Sequence, residues 1–249
     1  MNNKISILGV NIDNLNFSDT LDKAKSLIET SELDMIFTPN PEIIMIAHND
    51  DNFKSILNSA SICTPDGIGV VYCAKILKTP LQERVAGFDL SSALIEYAAE
   101  TEKSLFLFGA APNVADIAAQ NLIEKYPTLK IAGTRNGYFT EDETSEIIGQ
   151  INASNADILF VCLGAPKQEK WIYENRDKLN VKLALGLGGA LDVFAGTAKR
   201  APKIFIKLNL EWFYRLIKQP SRIGRYAALP KFIITVMRSR KGGKSKSKK

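Results

Sequence analysis

Through the first 190 residues, short uninterrupted apolar runs alternate with longer stretches in which apolar side chains return every three or four positions. The runs are ISILGV (5–10), DMIFTPN (34–40), SLFLFGA (104–110), LKIAGT (129–134), DILFVCLGA (157–165) and KLALGLGG (182–189), with a shorter one, SIC, ahead of TPDG (64–67). Apolar runs of this length without polar alternation predict strands covered on both faces. The stretches between them, among them SDTLDKAKSLIET (18–30), NVADIAAQNLIEKY (113–126) and EDETSEIIGQINAS (141–154), have the period of helices. Strand and helix in alternation predict an α/β fold: a doubly wound, mostly parallel sheet with helices on both faces. Right-handed crossovers bring the carboxyl ends of the strands to one edge, where sheets of this kind bind ligands.

The pattern changes at residue 201. Apolar residues at 204, 205, 208, 212 and 216 form one helical stripe, Lys and Arg take other positions, and Pro220 and Pro230 divide the segment into short helices. Three regions follow: an α/β body over 1–200, a basic amphipathic helical appendage over 201–237, and a Lys-rich tail over 238–249 with the composition of a disordered segment.

Several strands end in a polar or Gly-rich signature and then enter a helix: TPNPE (38–42), TPDG (64–67), FGAAPN (108–113), LGAPKQE (163–169) and LGGALD (187–192). All belong at the same sheet edge. Helix N-termini gathered there present unpaired N–H groups and positive dipole ends, which suit phosphate. Within TPDG, Asp66 allows two readings. It can cap the helix predicted over 67–77, which stabilises the fold by roughly 1 kcal/mol, or it can be a carboxylate at the mouth of a cleft.

Charge sharpens the division. The chain carries a formal +5, yet residues 199–249 hold sixteen Lys and Arg against one acid, Glu211, a local +15 that leaves residues 1–198 at −10. Such asymmetry points to a polyanionic partner for the C-terminal segment: anionic lipid, a diphosphate or nucleic acid. Cys63, Cys73 and Cys162 are scattered in apolar sequence, the setting of buried reduced thiols rather than a disulfide framework. The N-terminal apolar run is too short for a signal peptide, and no apolar stretch approaches the ~20 residues of a membrane-spanning helix.

Other chemistries lose ground on the residues themselves. GLGGAL (186–191) begins like a dinucleotide fingerprint, but Leu191 stands at the third glycine position. The chain has no P-loop motif, and its one histidine, His48, reads as a helix-surface residue. An Asp-x-Asp pair for a divalent metal is absent, and EDE (141–143) suits a helix start. No cofactor and no metal site are expected. A departing diphosphate would then be stabilised by cations of the chain, for which Arg84, Lys167, Arg200, Arg215, Arg222 and Arg225 are available. A nucleic-acid-binding reading explains the basic end but not the strand-end signatures, and no nucleic-acid-binding motif is visible.

In order along the chain, TPNPE, TPDGIGVV, RVAGFDL (84–90), LFLFGA, LGAPKQEKWI (163–172), GLGGALDVFAGTAKRAP (186–202) and LEWFYRLIKQPSRIGRY (210–226) resemble the WecG/TagA/CpsF glycosyltransferase family, also called glycosyltransferase family 26, over about residues 5–230. The resemblance implies a metal-independent, inverting transferase at the cytoplasmic face of the cell membrane. Its donor would be a UDP-sugar and its acceptor N-acetylglucosamine on undecaprenyl diphosphate. Likeness to the teichoic acid linkage-unit branch favours N-acetylmannosamine as the sugar, with N-acetylmannosaminuronic acid or glucose as alternatives. The family's proposed base maps to Asp66, and its positioning residues to Thr38, Asn40 and Gln168. Diphosphate binding falls to Arg84, Arg215, Arg222 and Arg225, and the uridine end to Tyr138 and Asp192. The expected partners are that donor and acceptor and an anionic membrane surface met peripherally, with a homo-oligomer open as a further possibility.

Overall fold

The structure is a computed structural model that describes residues 4–208, 210–218 and 228–245. Six strands form one sheet in which every neighbouring pair is parallel: β3 (Asp34–Phe37), β4 (Ile62–Cys63), β5 (Ser104–Gly109), β6 (Lys130–Arg135), β7 (Ile158–Cys162) and β8 (Leu183–Gly186), in the order β4-β3-β8-β7-β5-β6. The apolar runs of the inner strands form strands because both faces of each are covered, whereas edge strand β6 stays partly exposed along its length. Phe106, Phe108, Leu159, Val161 and Ala184 face one hydrophobic cluster, while Leu105, Leu107, Ile158, Phe160, Leu183 and Leu185 face the other. Each such Val, Ile, Leu or Phe side chain, taken fully out of water, stabilises the fold by about 1.5–3 kcal/mol.

Helices α1 (Phe17–Ile28), α5 (Gly87–Thr101), α6 (Val114–Lys125) and α9 (Ala190–Phe194) contribute to one cluster. Helices α2 (Pro41–Asn49), α3 (Asp51–Asn58), α4 (Ile68–Ile76), α7 (Thr144–Ala153) and α8 (Lys167–Asn175) contribute to the other. Their starts are written locally. Asn16, Asn40 and Asp50 each accept a backbone N–H with the side chain, and Pro41 opens α2 where its missing N–H costs nothing. EDE forms a 3₁₀ turn whose Glu143 closes a capping box with Thr140.

One predicted run is placed differently. ISILGV does not join the parallel sheet; β1 (Lys4–Ile7) and β2 (Val10–Asp13) form a separate antiparallel hairpin turning at Leu8–Gly9. Ile5 and Ile7 point inward while Ser6 is exposed, so the run alternates and covers one face of the body.

The C-terminal segment adds α10 (Lys203–Lys207), α11 (Glu211–Lys218) and α12 (Ala228–Ser245). Helix α12 lies on α2 and α4, with Phe232 and Val236 fully buried and Leu229 reaching Gly69. Pro230 sits in the first turn of this helix, where no backbone hydrogen bond is lost, and the helix continues to Ser245. Among the described residues, no helix is long and apolar enough to cross a membrane.

Candidate active site

Asp66 follows β4 in the connection to α4. The helix cap is Gly67, whose φ of 97° needs a residue without a Cβ, and no side chain caps the helix. Asp66 is therefore not spent on the helix. Its Oδ2 accepts the backbone N–H of Gly87 at 3.2 Å, and its Oδ1 stands 3.7 Å from Arg84 Nε. That nitrogen is buried without a hydrogen bond, so the pair is an electrostatic contact rather than a bidentate clamp. The Asp66 side chain keeps 30% of its surface exposed, which leaves the carboxylate reachable from solvent.

The neighbouring strand end is tied to the same spot. Asp66 N donates to Pro39 O at 3.2 Å, and Val85 N to Pro65 O at 3.1 Å. The first turn of α5 approaches β3 so closely that a Cβ on Gly87 would stand 2.7 Å from Thr38 Oγ1; only glycine allows the approach that gives Asp66 its N–H. The Thr38 hydroxyl, almost fully buried, donates to Gly186 O at 3.4 Å. Asn40 uses its Oδ1 to cap α2, accepting Ile43 N at 3.0 Å.

The Gln168 amide lies over Gly186. Its Oε1 accepts the N–H of Gly164 at 3.2 Å and of Gly188 at 2.9 Å, bridging the loop after β7 to the loop after β8, and its Nε2 donates to Glu169 Oε1 at 2.8 Å. Asp66, Arg84, Thr38, Asn40 and Gln168 thus share one stretch of edge across β4, β3, β8 and β7. Glu169 is 1% exposed with its Oε2 unpartnered, and burial pushes its carboxyl up to about 7. The Cys162 thiol, at the end of β7 against the start of α9, is pushed up to about 12 by burial, so it is an inert thiol.

Farther along, β5 connects to β6 on one side and β7 to β8 on the other, so a crevice opens between the ends of β5 and β7. Ala110 N donates to Cys162 O at 2.9 Å and Gly137 N to Ala110 O at 2.8 Å, which draws the loop after β6 to this crevice. Tyr138, 71% exposed, stands on its β6 side, and Asp192, in the first turn of α9, on its β8 side. They flank the crevice and have no mutual contact.

Arg84 Nη2 bonds Glu211 Oε2 at 2.8 Å, with the two side chains 15% and 10% exposed, so the start of α11 is fastened to the residue that faces Asp66. Arg222 and Arg225 lie outside the described residues, as does the side chain of Arg215. Arg200 is held by Asp89 at 2.6 Å over the Phe88 ring, and Lys167 lies over the Phe139 ring. Cys63, Cys73 and Cys162 are free and buried, and His48 is on the exposed side of α2. Among the described residues, no three His, Cys, Asp or Glu side chains gather as a metal site.

Sequence reading missed Glu211 and Glu169 as members of this region. Glu211 had one signal, as the lone acid in the basic segment. Glu169 had none: an acid in the first turn of a helix reads as a solvated complement to the dipole.

A carboxylate, a cation and two glycine-rich loops along the carboxyl edge of a doubly wound sheet make a group-transfer site. The class is given by family comparison: the glycosyl transferase WecG/TagA/CpsF family matches residues 5–246, and the chain belongs to it. Relatives named N-acetylglucosaminyldiphosphoundecaprenol N-acetyl-beta-D-mannosaminyltransferase extend across nearly its whole length. The one from Bacillus subtilis is 40% identical, covering 95% of this chain and 91% of its own. That from Bacillus spizizenii is 39% identical over 91% and 90%, and that from Staphylococcus aureus 35% over 96% and 94%.

Proposed function

We propose that this glycosyltransferase moves N-acetyl-D-mannosamine from UDP to the 4-hydroxyl of N-acetylglucosaminyl-diphospho-undecaprenol, the step named in its relatives and one that serves teichoic acid linkage-unit synthesis. The reaction is a single inverting displacement. The acceptor oxygen bonds to the anomeric carbon, the bond from that carbon to the UDP oxygen breaks, and Asp66 takes the hydroxyl proton. A sugar hydroxyl is a poor nucleophile, and a carboxylate in hydrogen-bond reach typically contributes 10²–10⁴-fold. The observation that carries this reading is Asp66 itself: it leaves the cap of α4 to Gly67, is aimed by the Gly87 N–H at the start of α5 and keeps part of its surface exposed.

UDP lies across the crevice between β5 and β7, its uridine between Tyr138 and Asp192, with backbone N–H groups of the Gly-rich loops toward the phosphates. Arg84, Arg215, Arg222 and Arg225 neutralise the diphosphate without a metal; Arg84 supports this by standing beside the base on the appendage side. Thr38, Asn40 and Gln168 hold the loops between which the sugars meet.

The lipid-linked acceptor brings the enzyme to the inner face of the membrane. Ile204, Leu208, Phe213, Ile217, Ile234 and Met237 are exposed apolar residues of the appendage in a segment dense in Lys and Arg. Each cation near an anionic leaflet contributes about 1 kcal/mol. The test is a panel of UDP-sugars with a short-chain lipid-diphosphate N-acetylglucosamine, with and without chelator, following UDP release. Chelator-insensitive turnover with UDP-N-acetylmannosamine is expected. Turnover only with another donor, or none once metal is removed, overturns the corresponding part.

A further inference from the structure

Gln168 and Glu169 open α8 side by side, and both are buried, at 3% and 1% exposure. The first joins two loops through its Oε1; the second takes the first's only amide donation. A carboxyl without a cation is an expensive acceptor for one N–H in a dry place, since glutamine would accept the same bond with no charge to desolvate. Neither the proposed proton transfer nor any ion pair among the described residues uses Glu169.

We propose that Glu169 is a positioning residue: as the neutral acid it fixes the Gln168 amide so that Oε1 faces the Gly164 and Gly188 N–H groups, and its ionisation releases that clamp. The orientation matters because a flipped amide would set Nε2 against two N–H donors and break both bridges. The clamp joins the loop after β7 to the loop after β8, beside Gly186, the residue that receives the Thr38 hydroxyl. An ionised Glu169 would instead demand water. The nearest route is outward movement of the first turn of α8, taking Gln168 with it.

The surroundings carry little compensation. From β4 the Cys63 thiol faces Glu169, itself pushed up by burial. On α8, Lys170 turns to Asp50 at 3.3 Å and Lys167 to the Phe139 ring, while on α3 Lys54 bonds Asp51 at 2.5 Å. The described parts of β7 and β8 bear no charged side chain, and Asp34 of β3 is at that strand's other end, bonding Ser61. Gln168 and the backbone N–H of Glu169 favour ionisation, but burial outweighs both and places titration at about 7. The folded pKa lies above the unfolded value, so the stability this group contributes is complete below about 4.5 and lost as pH rises through about 7.

The structural part of the inference stands without the assigned reaction; its effect on turnover rests on that assignment. The experiment therefore reads amide exchange first. In the wild type, protection of Gly164 and Gly188 N–H, corrected for intrinsic base catalysis, should fall at least tenfold between pH 6 and 8.5. In Glu169→Gln it should stay flat over that range, and this variant should gain melting temperature at pH 8 but not at pH 5. Glu169→Ala should lose protection at every pH. With substrates, wild-type turnover should show an alkaline limb near pH 7–8 that disappears in Glu169→Gln, which matches wild type within about twofold at pH 6. Flat wild-type protection, or a pH slope that survives in Glu169→Gln, overturns the proposal. Expected exchange with no turnover on any donor would count against the assigned reaction alone.

Discussion

The body and the appendage are held by different means. The central sheet is buried on both faces, with clusters fed by nine helices that begin and end within the body and with the residues of β5, β7 and β8 almost all out of water, while edge strand β6 stays partly exposed. Among the described residues, the appendage meets that body through an apolar line on α12 (Leu229, Phe232, Ile233 and Val236) and through the charged bond of Glu211 on α11 to Arg84. The body is acidic and the appendage basic, yet the described contact at Arg84 has the signs reversed, body cation to appendage acid. A region fastened this way can be loosened while the body stays folded, and its second anchor is the arginine beside the proposed base.

Changes at the two regions should separate sharply. The largest effect belongs to the body. Asp66→Asn keeps the shape and the contact with Gly87 N–H but cannot take a proton, so turnover should fall 10²–10⁴-fold with an unchanged melting curve. Near wild-type turnover in the folded variant would remove Asp66 as base. Next comes Phe232→Ala, which empties a fully buried aromatic site between α12 and the body, a loss of about 3–5 kcal/mol. Protease should then cut within 228–245 much faster while the main unfolding transition moves little. A collapse of that transition would show that the appendage is part of the core. Glu211→Gln should cost less, about 1–3 kcal/mol of docking, because a neutral amide can still accept from Arg84. It is read by the same cleavage rate, and no change would mean that the apolar line alone does the fastening.

What the sequence makes legible follows the same division. Apolar runs and helical periods identified five of the six parallel strands as full elements, and the sixth, β4, as the short run before TPDG. They did so because burial on two faces writes itself as continuous Val, Ile, Leu and Phe. ISILGV was misplaced because a hairpin strand with one exposed position in four looks like a buried strand over so short a length. Asp66 was legible as a residue at a helix start, while its turning from α4 to the first N–H of α5 depends on the backbone angle of Gly67, which residue type only permits. The bonds of Arg84 to Glu211 and of Thr38 to Gly186 join positions 127 and 148 residues apart, and no local pattern carries such pairs. Burial of Glu169 was hidden for another reason: whether the first turn of α8 faces water or the sheet is decided by α3 and the strands packed on it.

The smallest expected effect tests the outer side of α12. Ile234 and Met237 are 49% and 48% exposed, on the same helix whose Phe232 and Val236 are wholly buried. Exposed apolar side chains contribute little to the folded state, so Ile234→Ser should shift stability by no more than about 0.5 kcal/mol. If that side meets lipid, the same change should weaken partition onto anionic vesicles, because the isoleucine's transfer into the interface is lost while Lys231, Arg238 and Arg240 still supply attraction. Sedimentation with vesicles at two salt concentrations separates the parts: the isoleucine's share should persist at high salt, and the cations' share should fade. An unchanged partition in Ile234→Ser and in the double variant with Met237→Ser would leave the membrane contact to charge alone. Attraction of that kind needs no ordered amphipathic helix, so α12 would then serve to hold the appendage on α2 and α4 rather than as a surface for lipid.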